Sequence, residues 1–154
     1  MNSELENKSG IYSCWGNLSH SNQMIIYHDE EWGEPLKNDL KLFEFLILEG
    51  MQAGLSWSTI LKKRDAFREA LDSFDPEKIS RYDYKKIEQL LKNPSIIRNR
   101  SKLESVILNA HAFIKISRNF GSFSEYVWSF VGSKTIQHNF SEMSFVPSRT
   151  KESE

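Results

Sequence analysis

The segment ILEGMQAGLSW, residues 47–57, places three residues capable of chemistry in a stretch that otherwise resembles a protein core. Glu49 supplies a carboxylate, Gln52 a carboxamide and Trp57 the largest aromatic side chain. Together with the nearby Tyr27, these side chains could form an aromatic pocket that carries polar groups, the usual composition of a ligand-binding site. We therefore take Glu49, Tyr27 and Trp57 as candidate site residues.

Ordinary structural roles compete with that interpretation. A carboxylate such as Glu49 commonly reaches solvent at a helix end or pairs with lysine or arginine, because charged side chains are rarely buried without a partner. A tryptophan is more often a core residue than a ligand-binding surface. From the residues alone, a structural role is favoured for both Glu49 and Trp57.

A second candidate site is a metal centre that includes Cys14 and His28. Thiolate and imidazole are good zinc ligands, but a tetrahedral site needs four donors. The chain has no second cysteine, and His20, His111 and His138 show no ligand spacing. From these residues alone, a buried free cysteine and a hydrogen-bonded surface histidine are the favoured interpretation.

A third candidate is the basic cluster Arg98, Arg100 and Lys102 at the start of a long predicted helix. Guanidinium groups and helix N-terminal amides could together bind phosphate. A solvated charged face is the simpler alternative. The sequence contains no glycine-rich phosphate loop, nucleophile elbow or paired-histidine motif.

The composition describes one domain of 154 residues, with 39% hydrophobic residues, 27% charged residues and a net charge of −1. These values are typical of a folded chain without a strong overall field for nucleic acids or membranes, although a local basic face could still bind DNA. One cysteine excludes an internal disulfide and suits a reducing compartment. With no signal sequence and no apolar run of membrane-spanning length, we expect a cytoplasmic protein without membrane association.

The elements that must position these residues are predicted to be helices, because no run alternates long enough to indicate a strand. A helix capped by Asp39 has Leu40, Phe43, Leu46 and Ile47 on one face. Further apolar residues on its other sides predict that this helix is central and buried. It would carry Glu49 at its end.

Shorter helices are predicted along the rest of the chain. Ser56 can cap a helix in which Arg64 lies on the outward side. We expect six or so helices and an all-α fold, with residues 11–38 packed but irregular. After the helix capped by Asp39, the predicted helices lie at 57–74, from Pro76 after the cap Asp75, at 83–93, at 99–117 and after Gly121.

Five segments of the chain resemble the DNA-3-methyladenine glycosylase I family, in family order and with family-like spacing. The most specific is EGMQAGLSW followed by ILKKR within residues 42–71, and the others are YHDEEWGEP (27–35), FDPEKIS (74–80), IIRNRSKLESVILNA (96–110) and YVWSFV (126–131). The resemblance implies the all-α, helix-hairpin-helix DNA glycosylase superfamily. It divides the chain into a disordered leader (1–10), a glycosylase domain (11–147) and a polar tail (148–154).

The resemblance also implies a function. Such an enzyme hydrolyses the N-glycosidic bond of 3-methyladenine in alkylated double-stranded DNA, after flipping the base into a pocket. Glu49 is then the catalytic pocket carboxylate, and Tyr27 and Trp57 are its aromatic walls. The enzyme is expected to be monofunctional, because no lysine lies in the pocket segment, and it needs no obligate protein partner. Met24 stands where a pocket tyrosine is common.

The family carries a structural zinc ion, and Cys14 and His28 match its two N-terminal ligands. The family's C-terminal hairpin, a further helix and the remaining two zinc ligands have no counterpart in these 154 residues. We therefore expect a domain that is incomplete at its C-terminus and that binds zinc weakly. One alternative is a truncated, inactive relative acting at most as a weak DNA- or protein-binding module, and another is a binder of a free modified purine.

Overall fold

The computed structural model describes residues 21–137 and 147–150. Every regular element within these ranges is helical, which confirms the all-α prediction. The predicted leader, Cys14 and the end of the predicted tail lie outside the described residues. The described elements are α1 (Asn22–Glu30), α2 (Asp39–Gln52), α3 (Trp57–Lys62), α4 (Arg64–Ala70), a 3-10 helix (Asp72–Phe74), α5 (Pro76–Ile79), α6 (Tyr84–Lys92), α7 (Arg100–Phe120) and α8 (Phe123–Ser129).

Side-chain caps define where most of these helices begin. Ser56 Oγ accepts the backbone N–H of Thr59 at 3.2 Å, and Asp75 Oδ1 accepts the N–H of Glu77 at 3.0 Å, as the sequence predicted. Ser122 begins α8 in the same way. Each such bond satisfies a backbone donor that the helix itself leaves unpaired, and contributes about 1 kcal/mol.

The predicted cap of α2 is wrong by one residue. Asn38 is the cap, and its Oδ1 accepts the N–H of Lys41 at 3.0 Å. Asp39 instead reaches α8, where its two carboxylate oxygens accept the backbone N–H groups of Phe123 at 3.2 Å and Ser124 at 2.8 Å. One carboxylate therefore joins the beginning of α2 to the beginning of α8.

The core lies between α2 and α7, and α7 also packs against α5, α6 and α8. The rings of Phe43 on α2 and Phe113 on α7 have centroids 4.9 Å apart. The predicted face of α2 is only half right, because Leu40 and Leu46 are 54% and 39% exposed while Phe43 and Ile47 are buried. The fully buried large side chains are Phe43, Ile47, Leu48, Met51, Ile60, Phe67, Leu71, Phe74, Ile79, Leu103 and Val106.

The single helix predicted for 57–74 is divided. Lys63, with φ −104° and ψ 0°, separates α3 from α4. Its Nζ donates to the carbonyls of Pro94 at 3.3 Å and Ser95 at 2.9 Å, so this break is attached to the connection between α6 and α7. The break also turns Arg64, predicted to lie outward, into a buried position that is 8% exposed.

Helix α1 lies within the range predicted to be irregular. None of its residues is buried, so its sequence lacks the single apolar stripe that identifies most surface helices. Among the described residues, no helix combines the length and apolar composition required to cross a bilayer.

Candidate active site

The candidate site lies where α1 meets the α2–α3 connection. The rings of Tyr27 on α1 and Trp57, the first residue of α3, meet edge to face with centroids 5.4 Å apart and an interplanar angle of 62°. Phe45 of α2 lies behind Tyr27, with ring centroids 6.2 Å apart. Two residues separated by 30 positions in sequence are thus brought into contact. Glu49 lies in the last turn of α2, where it is exposed.

The α2–α3 connection owes its shape to one glycine. Gly54 has φ +77°, a left-handed conformation that glycine adopts without steric cost. The N–H of Leu55 donates to the carbonyl of Gln52 at 2.6 Å and closes the turn. Gly50 lies inside α2 with ordinary helical geometry. The turn places Trp57 at the start of α3, directly after the cap Ser56.

The electrostatics of the site favour a neutral phenol. Burial raises the pKa of Tyr27, and the negative charges of Glu49 and Glu31 raise it further, while Arg64 opposes them. Because the pKa lies above its usual value of about 10, Tyr27 is protonated at neutral pH and its hydroxyl remains a hydrogen-bond donor.

The indole of Trp57 contains an unsatisfied donor. Its Nε1 is buried and makes no hydrogen bond of normal geometry within the described part of the chain, although it lies near enough to Tyr27 to lower the phenol pKa slightly. An unpaired buried N–H costs about 1–3 kcal/mol, so native structures contain few of them. Such a donor next to the candidate carboxylate and phenol is more typical of a binding site than of an optimised core.

Lys102 supports the end of α2 that carries Glu49. Its Nζ donates to the backbone carbonyls of Met51 at 2.9 Å and Ala53 at 2.6 Å. These carbonyls are among those that the end of a helix leaves unpaired, so Lys102 of α7 acts as a C-terminal cap of α2. The sequence offered Lys102 either as part of a phosphate-binding cluster or as part of a solvated charged face, and the structure instead uses its charge inside the protein.

The other two members of the basic cluster differ from each other. Arg100 pairs with Glu88, lies 3.7 Å from Glu104 and has its guanidinium 5.7 Å from the centre of the Tyr84 ring. Arg98 is exposed in the connection between α6 and α7 and forms no ion pair with any described residue. Of the cluster, Arg98 has the side chain most available to an external phosphate.

The predicted metal centre is not assembled by the described residues. His28 Nδ1 lies 2.9 Å from Asp29 Oδ1, and the imidazole stacks on Trp32 with ring centroids 5.5 Å apart. Cys14 lies outside the described residues, and residues 21–137 and 147–150 contain no group of three or more side chains placed to hold a metal ion. Because zinc needs four donors, His28 and its described neighbours do not fit it, and zinc binding through Cys14 and His28 stays a prediction.

Sequence reasoning missed a buried ion-pair network beside Tyr27. Arg64 donates from Nε to Glu44 Oε1 at 2.6 Å, and from its two terminal nitrogens to the Glu31 carboxylate at 2.6 and 2.9 Å. Burial opposes the charge of Arg64, yet the hydrogen bonds to Glu31 and Glu44 keep its pKa above the ordinary value. The one signal in the sequence was Glu44, a carboxylate on an otherwise apolar face of α2.

The sequence of this chain matches the family described as methyladenine glycosylase over residues 15–154. The chain belongs to that family. A DNA-3-methyladenine glycosylase from Haemophilus influenzae is 44% identical over 127 residues, which are 82% of this chain and 69% of the relative. DNA-3-methyladenine glycosylase 1 of Escherichia coli is 40% identical over 139 residues, which are 90% of this chain and 74% of the relative.

The fold agrees with solved members of the family. A crystal structure of 3-methyladenine DNA glycosylase I matches with a TM-score of 0.80 and 40% identity, over 89% of this chain and 75% of that one. A variant of 3-methyladenine DNA glycosylase I, solved in complex with 3-methyladenine, matches with a TM-score of 0.80 and 36% identity, over 86% of this chain and 71% of that one.

Proposed function

We propose that this chain is a DNA repair glycosylase that releases 3-methyladenine from alkylated double-stranded DNA. The observation that carries the proposal is the contact of Tyr27 with Trp57, at 5.4 Å between ring centroids, together with Glu49, an exposed carboxylate in the last turn of α2 whose charge raises the pKa of Tyr27. The relatives named for this activity, and the related structure that contains 3-methyladenine, support it. A cytoplasmic location and independence from an obligate protein partner stay predictions of the sequence.

The chemistry of the substrate suits these three side chains. Methylation at N3 gives adenine a delocalised positive charge, which aromatic rings attract, and Glu49 adds a negative charge beside them. Water attacks C1′ of the sugar while the bond from C1′ to N9 of the base breaks. The bonding electron pair leaves with the base, which becomes neutral, and the proton of the attacking water passes to solvent. Glu49 contributes by stabilising the positive charge that the sugar develops in the transition state.

Contact with DNA is proposed for the connection between α6 and α7. These two helices pack against each other and are joined by residues 93–99. Arg98 projects from this connection, and Asn99 caps the N-terminus of α7. Exposed cationic side chains and helix N-termini bind phosphate independently of the base sequence. An enzyme that must extrude a damaged base needs such contacts to the DNA backbone.

The decisive experiment measures free 3-methyladenine released from alkylated duplex DNA by the 154-residue chain. Glu49→Gln is expected to lower kcat/KM by about 100-fold, because the transition state loses a negative charge while the side-chain shape is kept. Glu69→Gln is the matched control, since Glu69 is an exposed glutamate on α4. Absence of release by the unmodified chain, or equal release by Glu49→Gln, would contradict the proposal. The first of these results is what an inactive DNA- or protein-binding module predicts.

Trp57 provides an independent test of the pocket. Trp57→Ala removes an aromatic face and is expected to lower kcat/KM by roughly 10- to 100-fold, the range associated with losing one base-stacking interaction. Trp57→Phe keeps a ring at the same place and should recover most of that loss. Unchanged release by Trp57→Ala would show that the base binds elsewhere.

A further inference from the structure

Helix α1 carries Tyr27 but contributes nothing to the buried core. None of its nine residues is buried, and its main packing partner is the short helix α3. The ring of Tyr27 lies against those of Trp57 and Phe45, with centroids 5.4 and 6.2 Å away. Apolar packing therefore fixes the position of this aromatic wall weakly, and another interaction must hold it.

The residue immediately after α1 supplies that interaction. Glu31 ends the helix, and its backbone N–H donates to the carbonyl of Tyr27 at 3.0 Å. Its carboxylate accepts two hydrogen bonds from Arg64, at 2.6 and 2.9 Å. A two-point contact of this kind fixes direction as well as distance, because both partners are planar. The turn that carries Tyr27 is thus attached to α4 through a single carboxylate.

Arg64 is itself immobilised on the opposite side. Its side chain is 10% exposed, its Nε donates to Glu44 of α2 at 2.6 Å, and its guanidinium carbon lies 5.0 Å from the centre of the Phe45 ring. Arg68 shares the Glu44 carboxylate, with Nη2 at 2.8 Å. Because α2 belongs to the core, Arg64 offers Glu31 a rigid attachment point rather than a mobile surface charge.

We infer that the Glu31–Arg64 ion pair is a positioning device that holds Tyr27 at the correct distance from Trp57 for a base to bind. The inference rests on the proposed function, because it assigns Tyr27 to the base-binding site. Glu31 and Arg64 are positioning residues, since they bind each other beside α1 and Phe45, and hydrogen exchange of α1 separates this role from the effect of their charges on the Tyr27 phenol. The pair replaces the apolar packing that α1 lacks.

The test is a double-mutant cycle on the affinity for free 3-methyladenine, measured by titration calorimetry. Glu31→Gln keeps the shape of the side chain but removes its charge, and leaves Arg64 paired with Glu44. It is expected to weaken base binding by about 10-fold in the unmodified chain, and by less than about 2-fold when Tyr27→Ala is already present. Coupling of this size shows that Glu31 acts through Tyr27.

A matched control lies in the same network. Asp65 pairs with Arg68 at 3.0 Å, but its side chain is 94% exposed and it belongs to α4 rather than to α1. Asp65→Asn should change base affinity by less than about 2-fold, with or without Tyr27→Ala. Hydrogen exchange gives a readout independent of the base. In Glu31→Gln the amides of α1 should exchange about 10-fold faster, while those of α2 and α7 remain unchanged.

The two proposals fail in different ways. If Glu31→Gln weakens binding equally with and without Tyr27→Ala, if it leaves base affinity unchanged, or if α1 exchange is unaltered, the positioning inference is overturned and the glycosylase assignment stands. If the unmodified chain does not bind the base, or if Tyr27→Ala alone leaves its affinity unchanged, the positioning inference is also overturned, whereas the glycosylase proposal is overturned only by the release assay.

Discussion

Helices α1 and α2 each deliver one residue to the candidate site, and they are held in opposite ways. Four apolar residues of α2 are buried, namely Phe43, Ile47, Leu48 and Met51, so Glu49 is carried by the core itself. Helix α1 buries none of its residues and is attached through Glu31. The comparison contrasts Glu49, which is fixed by the core, with Tyr27, which is held by the packing of α1 on α3 and by the Glu31–Arg64 ion pair.

Truncating a core side chain of α2 should have the largest effect on stability, and truncating a side chain of α1 should have much less. Phe43→Ala removes a fully buried ring that packs 4.9 Å from Phe113, and should lower the free energy of unfolding by about 3–5 kcal/mol. Ile26→Ala removes a side chain from α1 that is 51% exposed, and should cost less than about 1 kcal/mol. Urea denaturation followed by circular dichroism measures both. Equal losses would mean that α1 is as much a part of the core as α2.

Lys102 tests how firmly the end of α2 that carries Glu49 is held. Its substitution should have an intermediate effect on stability. Lys102→Met keeps the aliphatic stem but leaves the carbonyls of Met51 and Ala53 without their donor, at an expected cost of about 1–2 kcal/mol in unfolding free energy. Release of 3-methyladenine should fall as well, because the turn after Glu49 loosens. Lys115→Met, at an exposed position of the same helix, is the control and should be neutral in both assays. A neutral Lys102→Met would show that packing alone fixes this turn.

The smallest expected effect is electrostatic, and it concerns the charge of Glu49 on α2 and the phenol of Tyr27 on α1. The negative charge of Glu49 raises the pKa of Tyr27, so Glu49→Gln should lower that pKa towards its ordinary value of 10.0. The sign follows from charge, because a nearby carboxylate disfavours a phenolate. The stability that this partly buried neutral phenol contributes is fully present below pH 10 and is lost as the pH rises through the folded-state pKa. Carbon NMR of labelled tyrosine, assigned with Tyr27→Phe, measures the shift. An unchanged pKa would mean that the charge of Glu49 does not act on the Tyr27 phenol.

The sequence predicted the starts of helices well where they depend on side chains a few residues apart. The cap Ser56 and the Asp75–Pro76 start both act within one helical turn, and the structure contains both. The same reasoning failed for α1, because a helix without a buried face has no apolar period to detect. It also failed for the first turn of α2, where Leu40 lies at the edge of the core rather than inside it.

The sequence indicated some residues of the candidate site but not those whose partners lie far away along the chain. Residue types and the family resemblance indicated Tyr27, Glu49 and Trp57, and the structure brings the two rings into contact. Arg64 was misjudged as an outward charge because its partners are 20 and 33 residues away, Glu44 on α2 and Glu31 after α1. A charged residue surrounded by other charged residues in sequence gives no local indication that it is buried. The burial of Arg64 and its ion pairs arise only when the helices pack together.

The carboxylate of Asp39 sets an order of assembly. Its two backbone donors, Phe123 and Ser124, lie 84 and 85 residues further along the chain. During synthesis from the N-terminus, α2 is complete long before these donors exist, so the carboxylate stays hydrated until α8 has been made. Closing a loop of this length also costs more entropy than forming contacts between neighbouring helices. Docking of α8 is therefore a late step, and a nascent chain that ends before residue 123 presents the first turn of α2 open to chaperones and proteases.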